Sequence, residues 1–279
     1  MDQVRTPEEV TAAWARLESE STRQLFAATL IGELDDDAPC DAVSVLRLRG
    51  TPDVFELARE FCQAANPRAR TRGLDVLAQL GTGRPAEERP FLEESVSIAI
   101  RHLEESEPEV VTSAAWALCR LATESAIDAL IKLKSHPDPD IREAVARCTD
   151  LPGCPKGVSC LIFLMDDENE VVRDWATFGL GSLEAFSGGE WRFPDSPEIR
   201  AALNNRLQDP YEDARREAIW GLAKREDLIG LKLLLEHLES ESCWMGDRLA
   251  AEELLHVESD TPIEDLCRGL HRLLEKRRR

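Results

Sequence analysis

Two stretches decide how this chain is read: Asp138-Pro139-Asp140-Ile141-Arg142-Glu143-Ala144-Val145 and Glu170-Val171-Val172-Arg173-Asp174-Trp175-Ala176-Thr177-Phe178-Gly179-Leu180-Gly181. In each, an apolar residue precedes an arginine, and small or apolar residues follow it at fixed offsets of three, six and seven. Those offsets fall on one face of a helix. The same spacing recurs around Arg70 (Ala69, Gly73, Val76, Leu77), Val111 (Val110, Ala114, Ala117, Leu118) and Arg215 (Ala214, Ala218, Gly221, Leu222), and more weakly around Arg248 (Ala251, Leu254, Leu255). Successive copies lie roughly 31 to 42 residues apart, the range of two-helix repeats, and the longer intervals contain insertions.

Each patterned helix is announced by a turn rich in proline and acids: Asn66-Pro67, Glu107-Pro108, Asp138-Pro139-Asp140, Asp167-Glu168-Asn169 and Asp209-Pro210. Asp and Asn accept hydrogen bonds from the free N–H groups of a helix start, and proline is tolerated in the first turn. A second apolar-periodic segment follows within the unit, as in Ala126 to Leu133, Val158 to Leu164 and Leu228 to Leu234. Upstream, Pro7 to Ser19 with Thr22 to Leu34, and Cys40 to Arg49 with Val54 to Ala65, read as further pairs, and Pro262 to Lys276 closes the last one. The expectation is an all-α chain, one solenoid over 1–279, with a helical cap at 1–37 and about seven helix pairs over 38–279.

With the turn Asp138-Pro139-Asp140-Ile141-Arg142 and its counterpart Glu170 to Gly181 in view, the repeats resemble short HEAT repeats of the phycobilisome-lyase-like type. The resemblance covers roughly residues 66 to 256. It implies a right-handed α–α superhelix with the first helix of each pair convex and the second lining the concave surface. It also implies a protein-binding role more than an activity. HEAT-like deoxyhypusine hydroxylases carry His-Glu pairs for iron, whereas His102, His136, His237, His256 and His271 are followed by Leu, Pro, Leu, Val and Arg. HEAT-like DNA glycosylases need a cationic cleft; bilin lyases share the repeat, but no bilin site stands out here.

Charge points the same way. The 279 residues contain 54 acidic and 34 basic side chains, a net charge of -20, which repels polyphosphate and favours a basic protein partner over nucleic acid. No apolar run approaches the roughly 20 residues of a membrane span, and the opening residues lack the order of a signal peptide, so the reading is cytoplasmic. Eight cysteines without Cys-x-x-Cys read as reduced thiols. Cys148, Cys154 and Cys160, near His136, are not spaced like zinc ligands, and Cys148 occupies a small-residue position of the repeat, so packed thiols are expected and no metal or other cofactor. Nucleotide-binding loops, nucleophile elbows and zinc-protease motifs are absent from the sequence, in keeping with a non-catalytic chain.

Candidate contacts come from three features. Acids crowd the turns between units, including Asp166, Asp167, Glu168, Asp209 and Asp213, in greater number than capping explains, and are expected to form a negative rim. The arginine column (Arg70, Arg142, Arg173, Arg215, Arg248) is expected to pair with acids of adjacent turns. Trp116, Phe178 and Trp220 share the fifth position after that column, where they either fill gaps between repeats or form an exposed anchor patch. The insertion Ser187-Gly188-Gly189-Glu190-Trp191-Arg192-Phe193-Pro194-Asp195 sets hot-spot residues beside a flexible Gly-Gly, either as a contact loop or as a cover over neighbouring helices. These features together suggest a non-catalytic scaffold, adaptor or inhibitor that binds a basic protein. The alternatives are a lyase- or chaperone-type enzyme with a concave site, and an acidic mimic of nucleic acid.

Overall fold

Proline opens seven helices, beginning at Pro7, Pro52, Pro67, Pro108, Pro139, Pro155 and Pro197, where its missing N–H costs nothing and its fixed φ suits the helix. Side chains cap others: Asn66 Oδ1 accepts from the Arg68 N–H at 3.0 Å, and Asp227 Oδ1 from the Ile229 N–H at 2.9 Å. The computed structural model describes residues 6–33, 36–81, 88–148, 155–181, 195–240 and 243–277. The described residues form sixteen helices and no strand. The chain is all-α, a helical repeat solenoid, and divides into two compact units, residues 1–130 and 131–279.

In unit 1 the first helices α1 (Pro7–Glu18), α3 (Asp37–Arg49), α5 (Pro67–Gln79) and α7 (Pro108–Leu121) pack side by side. Their partners are α2 (Thr22–Ala28), α4 (Pro52–Cys62), α6 (Leu92–His102) and α8 (Glu124–Ile131). In unit 2 the first helices α9 (Pro139–Cys148), α11 (Glu170–Gly181), α13 (Glu212–Lys224) and α15 (Met245–Leu255) form the corresponding layer. Their partners are α10 (Pro155–Leu164), α12 (Pro197–Arg206), α14 (Leu228–Leu238) and α16 (Ile263–Arg277). The sixteen helices form eight such pairs, and α2 stops at Ala28, short of the expected Leu34. Thr29 turns its hydroxyl back to the Phe26 carbonyl at 2.7 Å, and Gly32 adopts φ +75, which no helix continues.

The patterned positions are the core. Ile141, Val145, Val172, Ala176, Leu180, Ala214, Ala218 and Leu222 are fully buried. Burial of each leucine is worth about 1.5–3 kcal/mol. Small residues at these offsets let helices touch: a Cβ on Gly221 would stand 2.5 Å from Gly181 Cα, and one on Gly73 would stand 2.7 Å from the Ala58 carbonyl oxygen. Cys148 and Cys160 are buried, as packing predicts, and Cys154 lies outside the described residues.

Candidate functional site

The arginine column builds a ladder. Arg142 Nη1 donates to the His136 and Pro137 carbonyls at 2.8 and 3.1 Å, while its Nε and Nη2 grip Asp167 Oδ2 and Oδ1 at 2.7 and 2.8 Å. Arg173 repeats the arrangement one unit on, with the Asp167 and Glu168 carbonyls at 3.0 and 3.1 Å and the Asp209 carboxylate at 2.8 and 3.0 Å. Arg215 then takes the Asp209 and Pro210 carbonyls at 2.7 and 3.0 Å. Asp167 and Asp209 are therefore nodes. Each carboxylate holds the preceding arginine and accepts the backbone N–H two residues on, Asn169 or Tyr211, at 2.9 Å. In unit 1, Arg70 does the same with the Ala64 and Ala65 carbonyls and with Glu105 and Glu107 at 2.9 and 3.2 Å.

Electrostatics follow from that geometry. Burial works against the carboxylates of Asp167 and Asp209, but hydrogen bonds from Arg142 and Arg173 and from the following backbone N–H overcome it and hold both pKa values below the usual range. Two members of the expected rim are thus not on a rim. The Asp167 side chain is 6% exposed and that of Asp209 is wholly buried, because the stacking of units sets each against the preceding arginine. Exposed acids flank them: Asp166 is 75% exposed and paired with Arg206 at 2.9 Å, and Glu168 is 89% exposed. Asp213 is half-buried on α13.

The last rung changes residue. Arg216, not its neighbour Arg215, reaches the next helix pair and bonds Asp247 Oδ2 at 3.0 Å. Trp220 Nε1 donates to Asp247 Oδ1 at 2.8 Å, and the Trp220 ring lies where a Cβ on Gly246 would stand, 2.2 Å from Cη2. Trp220 therefore fills the space between α13 and α15. Phe178 is half-buried and meets Trp175 edge-on at 5.5 Å, and Trp116 is half-buried on α7. Glu190, Trp191, Arg192 and Phe193 lie outside the described residues.

Where Asp166 to Glu168 cross the end of α10, unit 2 carries an open groove of about 960 Å³. Its floor includes Ile162, Phe163 and Pro137, and its walls Lys134, His136, Ser159, Asp166 and Glu168. Phe163 is 47% exposed with the Lys134 ammonium 4.5 Å above its ring, and His136 Nδ1 accepts the Asp138 N–H at 3.1 Å. The ladder pair Arg142–Asp167 forms one edge, so the groove combines a hydrogen-bonded edge, apolar lining and exposed charged tips. Unit 1 has a smaller groove of about 500 Å³ between α4 and α6, lined by Phe55, Glu56, Arg59, Glu93, Glu94 and Arg101. Sequence reasoning found the acids but missed Phe163. The signal was present in Leu161-Ile162-Phe163-Leu164, four consecutive apolar residues, more than one helix face can bury.

Among the described residues no group of three or more His, Cys, Asp or Glu side chains is placed to hold a metal ion, and no helix is long and apolar enough to cross a membrane.

Residues 96–181 match the family pattern of HEAT repeats. Protein YibA of Escherichia coli strain K12 is 27% identical over 232 residues, which cover 79% of this chain and 78% of YibA. The X-ray structure of E. coli YibA aligns with a TM-score of 0.71 at 22% identity, covering 99% of this chain and 100% of that one. The structure describing Kap95p binding to RanGDP aligns at TM-score 0.58 and 11% identity, over 99% of this chain and 38% of its own. The Cnd3–Cnd2 condensin subcomplex of S. pombe aligns at TM-score 0.58 and 14% identity, over 96% and 41%. At these identities the structural likeness establishes the fold: helix pairs of HEAT-like repeats.

Proposed function

We propose that this HEAT-like repeat protein is a non-catalytic scaffold that holds a basic protein partner against its acidic surface, with the Lys134–Glu168 groove of unit 2 as a principal contact. The observation that carries the reading is Phe163, a large ring left exposed on an apolar floor and bordered by the carboxylates of Asp166 and Glu168. A desolvated aromatic anchor inside a charged border is the arrangement that concentrates binding energy in protein interfaces. The net charge of -20 supports a partner of opposite sign. Two of the structural neighbours named above come from complexes with other proteins, Kap95p with RanGDP and Cnd3 with Cnd2, which is the use proposed here. The setting in which it acts is cytoplasmic on this reading.

The test is capture from host cells at low and at high salt, followed by titration calorimetry of the purified binder against the wild-type chain and Phe163→Ala. A basic binder whose affinity falls steeply with salt and at least about tenfold with the variant supports the proposal. Salt-insensitive binding, or a binder that is indifferent to Phe163, overturns it.

A further inference from the structure

The gaps between neighbouring first helices of unit 2 follow one plan, with one exception. Between α9 and α11, the Arg147 guanidinium lies 3.5 Å over the Trp175 ring and 3.3 Å from Glu143 Oε1. Between α13 and α15, Arg216 bonds Asp247 and Glu212 and lies 4.9 Å over the Trp244 ring. Each gap thus holds a guanidinium among carboxylates and against an aromatic face, a favourable setting for a planar cation. The intervening gap, between α11 and α13, holds Asp174, Asp213 and Glu217, and among the described residues no arginine or lysine is ion-paired with them.

The surrounding cations are committed elsewhere. Arg173 is bound to Asp209, Arg215 to backbone carbonyls, Arg216 to Asp247, and Lys224 to Glu253 at 2.5 Å. Arg147 attracts Asp174 from across the α9 side but remains on Trp175 and Glu143. Asp174 Oδ1 and Glu217 Oε2 are both closed off from solvent and lack a hydrogen-bond partner. An orphaned, enclosed carboxylate oxygen is costly, and two in one gap call for an explanation.

A Cβ on Gly181 would stand 2.8 Å from the Glu217 carbonyl oxygen, so the backbones of α11 and α13 touch here and set the width of the gap at Glu217. Burial, reinforced by Asp174 and Asp213 and opposed by Lys224, pushes Glu217 up to about 8. Burial, with Asp213, Asp209 and Glu143 adding to it and Arg147 opposing, pushes Asp174 up to about 6. Both groups are held short of the counter-charge that would let them ionise freely. All three residues keep part of their surface open to solvent, so an incoming cation meets their outer edges while the two orphaned oxygens form the enclosed inner wall.

We propose that Asp174, Asp213 and Glu217 form a receptor for a single guanidinium, supplied by an arginine side chain of the basic partner. The inference rests on the partner reading above and deepens it by naming a residue type and its seat. The neighbouring gaps show the chemistry that fits, because both already hold a guanidinium of this chain. The enclosed inner wall strengthens the attraction, since a charge pair removed from water interacts more strongly than an exposed one.

The test uses the full chain and Nα-acetylarginine amide as probe, followed by NMR at pH 9, above the values of about 6 and about 8 to which burial raises Asp174 and Glu217. Expected are shifts confined to residues 174–178 and 211–217, absent with the uncharged citrulline analogue, and weakened at least about tenfold in Asp174→Asn/Glu217→Gln. That variant is expected to fold, since it removes charges that lack partners, and circular dichroism checks this. No shifts, equal shifts in the variant, or shifts reproduced by citrulline overturn the site. Shifts elicited by Mg²⁺ and not by the arginine probe also overturn it and assign a metal site instead. A second arm uses a basic arginine-containing peptide. If the wild type does not bind it in a salt-sensitive manner, the partner reading fails; if the double variant binds it as the wild type does, only the receptor fails.

Discussion

Arg173 and Asp209, 36 residues apart in sequence, meet through two parallel hydrogen bonds of 2.8 and 3.0 Å, with the aspartate wholly buried. The same arginine also ties down the turn before its own helix through the Asp167 and Glu168 carbonyls. One side chain therefore fixes both the start of a unit and the position of the next. Asp209→Ala leaves Arg173 unpaired at the junction and should destabilise the chain by about 3–5 kcal/mol in urea denaturation. Glu168→Gln, at an exposed tip of the same ladder, should change stability by less than about 0.5 kcal/mol.

Stability should fall on both sides of a mildly acidic optimum. Asp167 and Asp209 have folded pKa values below their unfolded ones, so their contribution is complete above about pH 4 and is lost as pH drops through the folded values. Asp174 and Glu217 are shifted up, so the folded state holds their protons longer than the unfolded state does. Their cost begins as pH rises past the ordinary carboxylate range and is complete above about 6 for Asp174 and about 8 for Glu217. Denaturation midpoints measured from pH 3 to 9 should trace this, and Glu217→Gln should flatten the upper limb and stabilise by about 1–3 kcal/mol at pH 8.

Gly221→Ala should be costly, because the added methyl meets Gly181 Cα, a backbone atom that cannot rotate aside. A loss of about 1–3 kcal/mol is expected from the overpacking, read as a lower denaturation midpoint with an unchanged slope.

Phe163→Ala should separate binding from folding. The ring is half exposed and its main polar contact is the Lys134 ammonium, so stability should drop by no more than about 1 kcal/mol while partner affinity falls. A loss of folding comparable to that of Asp209→Ala would assign Phe163 to the core.

Thiol labelling should be selective. Burial, reinforced by Asp75, pushes Cys62 up to about 12, so it should resist alkylation in the native state, whereas exposed Cys40 reacts. Mass spectrometry of partly labelled protein distinguishes the two.

Much of the architecture was legible from residues alone. Small residues at fixed offsets after Arg142 and Arg173 reveal a repeated helix, and Asp-Pro turns mark where each one starts, because both signals act over a single helical turn. The site was legible only in part. Asp166, Asp167 and Glu168 look alike in sequence, yet one is buried in the ladder and two project into solvent. Arg215 and Arg216 are adjacent, and only the second reaches Asp247.

What the sequence determined by itself is the repeat: helix periodicity, capping and close-packing residues are local properties, written within a few positions of one another. Tertiary structure decided which charges face one another. An acid's burial, its partner and hence its protonation depend on side chains more than thirty residues away, as Arg173 and Asp209 illustrate. The exposure of Phe163 and the uncompensated carboxylates of Asp174 and Glu217 likewise exist only once helices are stacked, because an unfilled gap is a property of two surfaces and not of either alone.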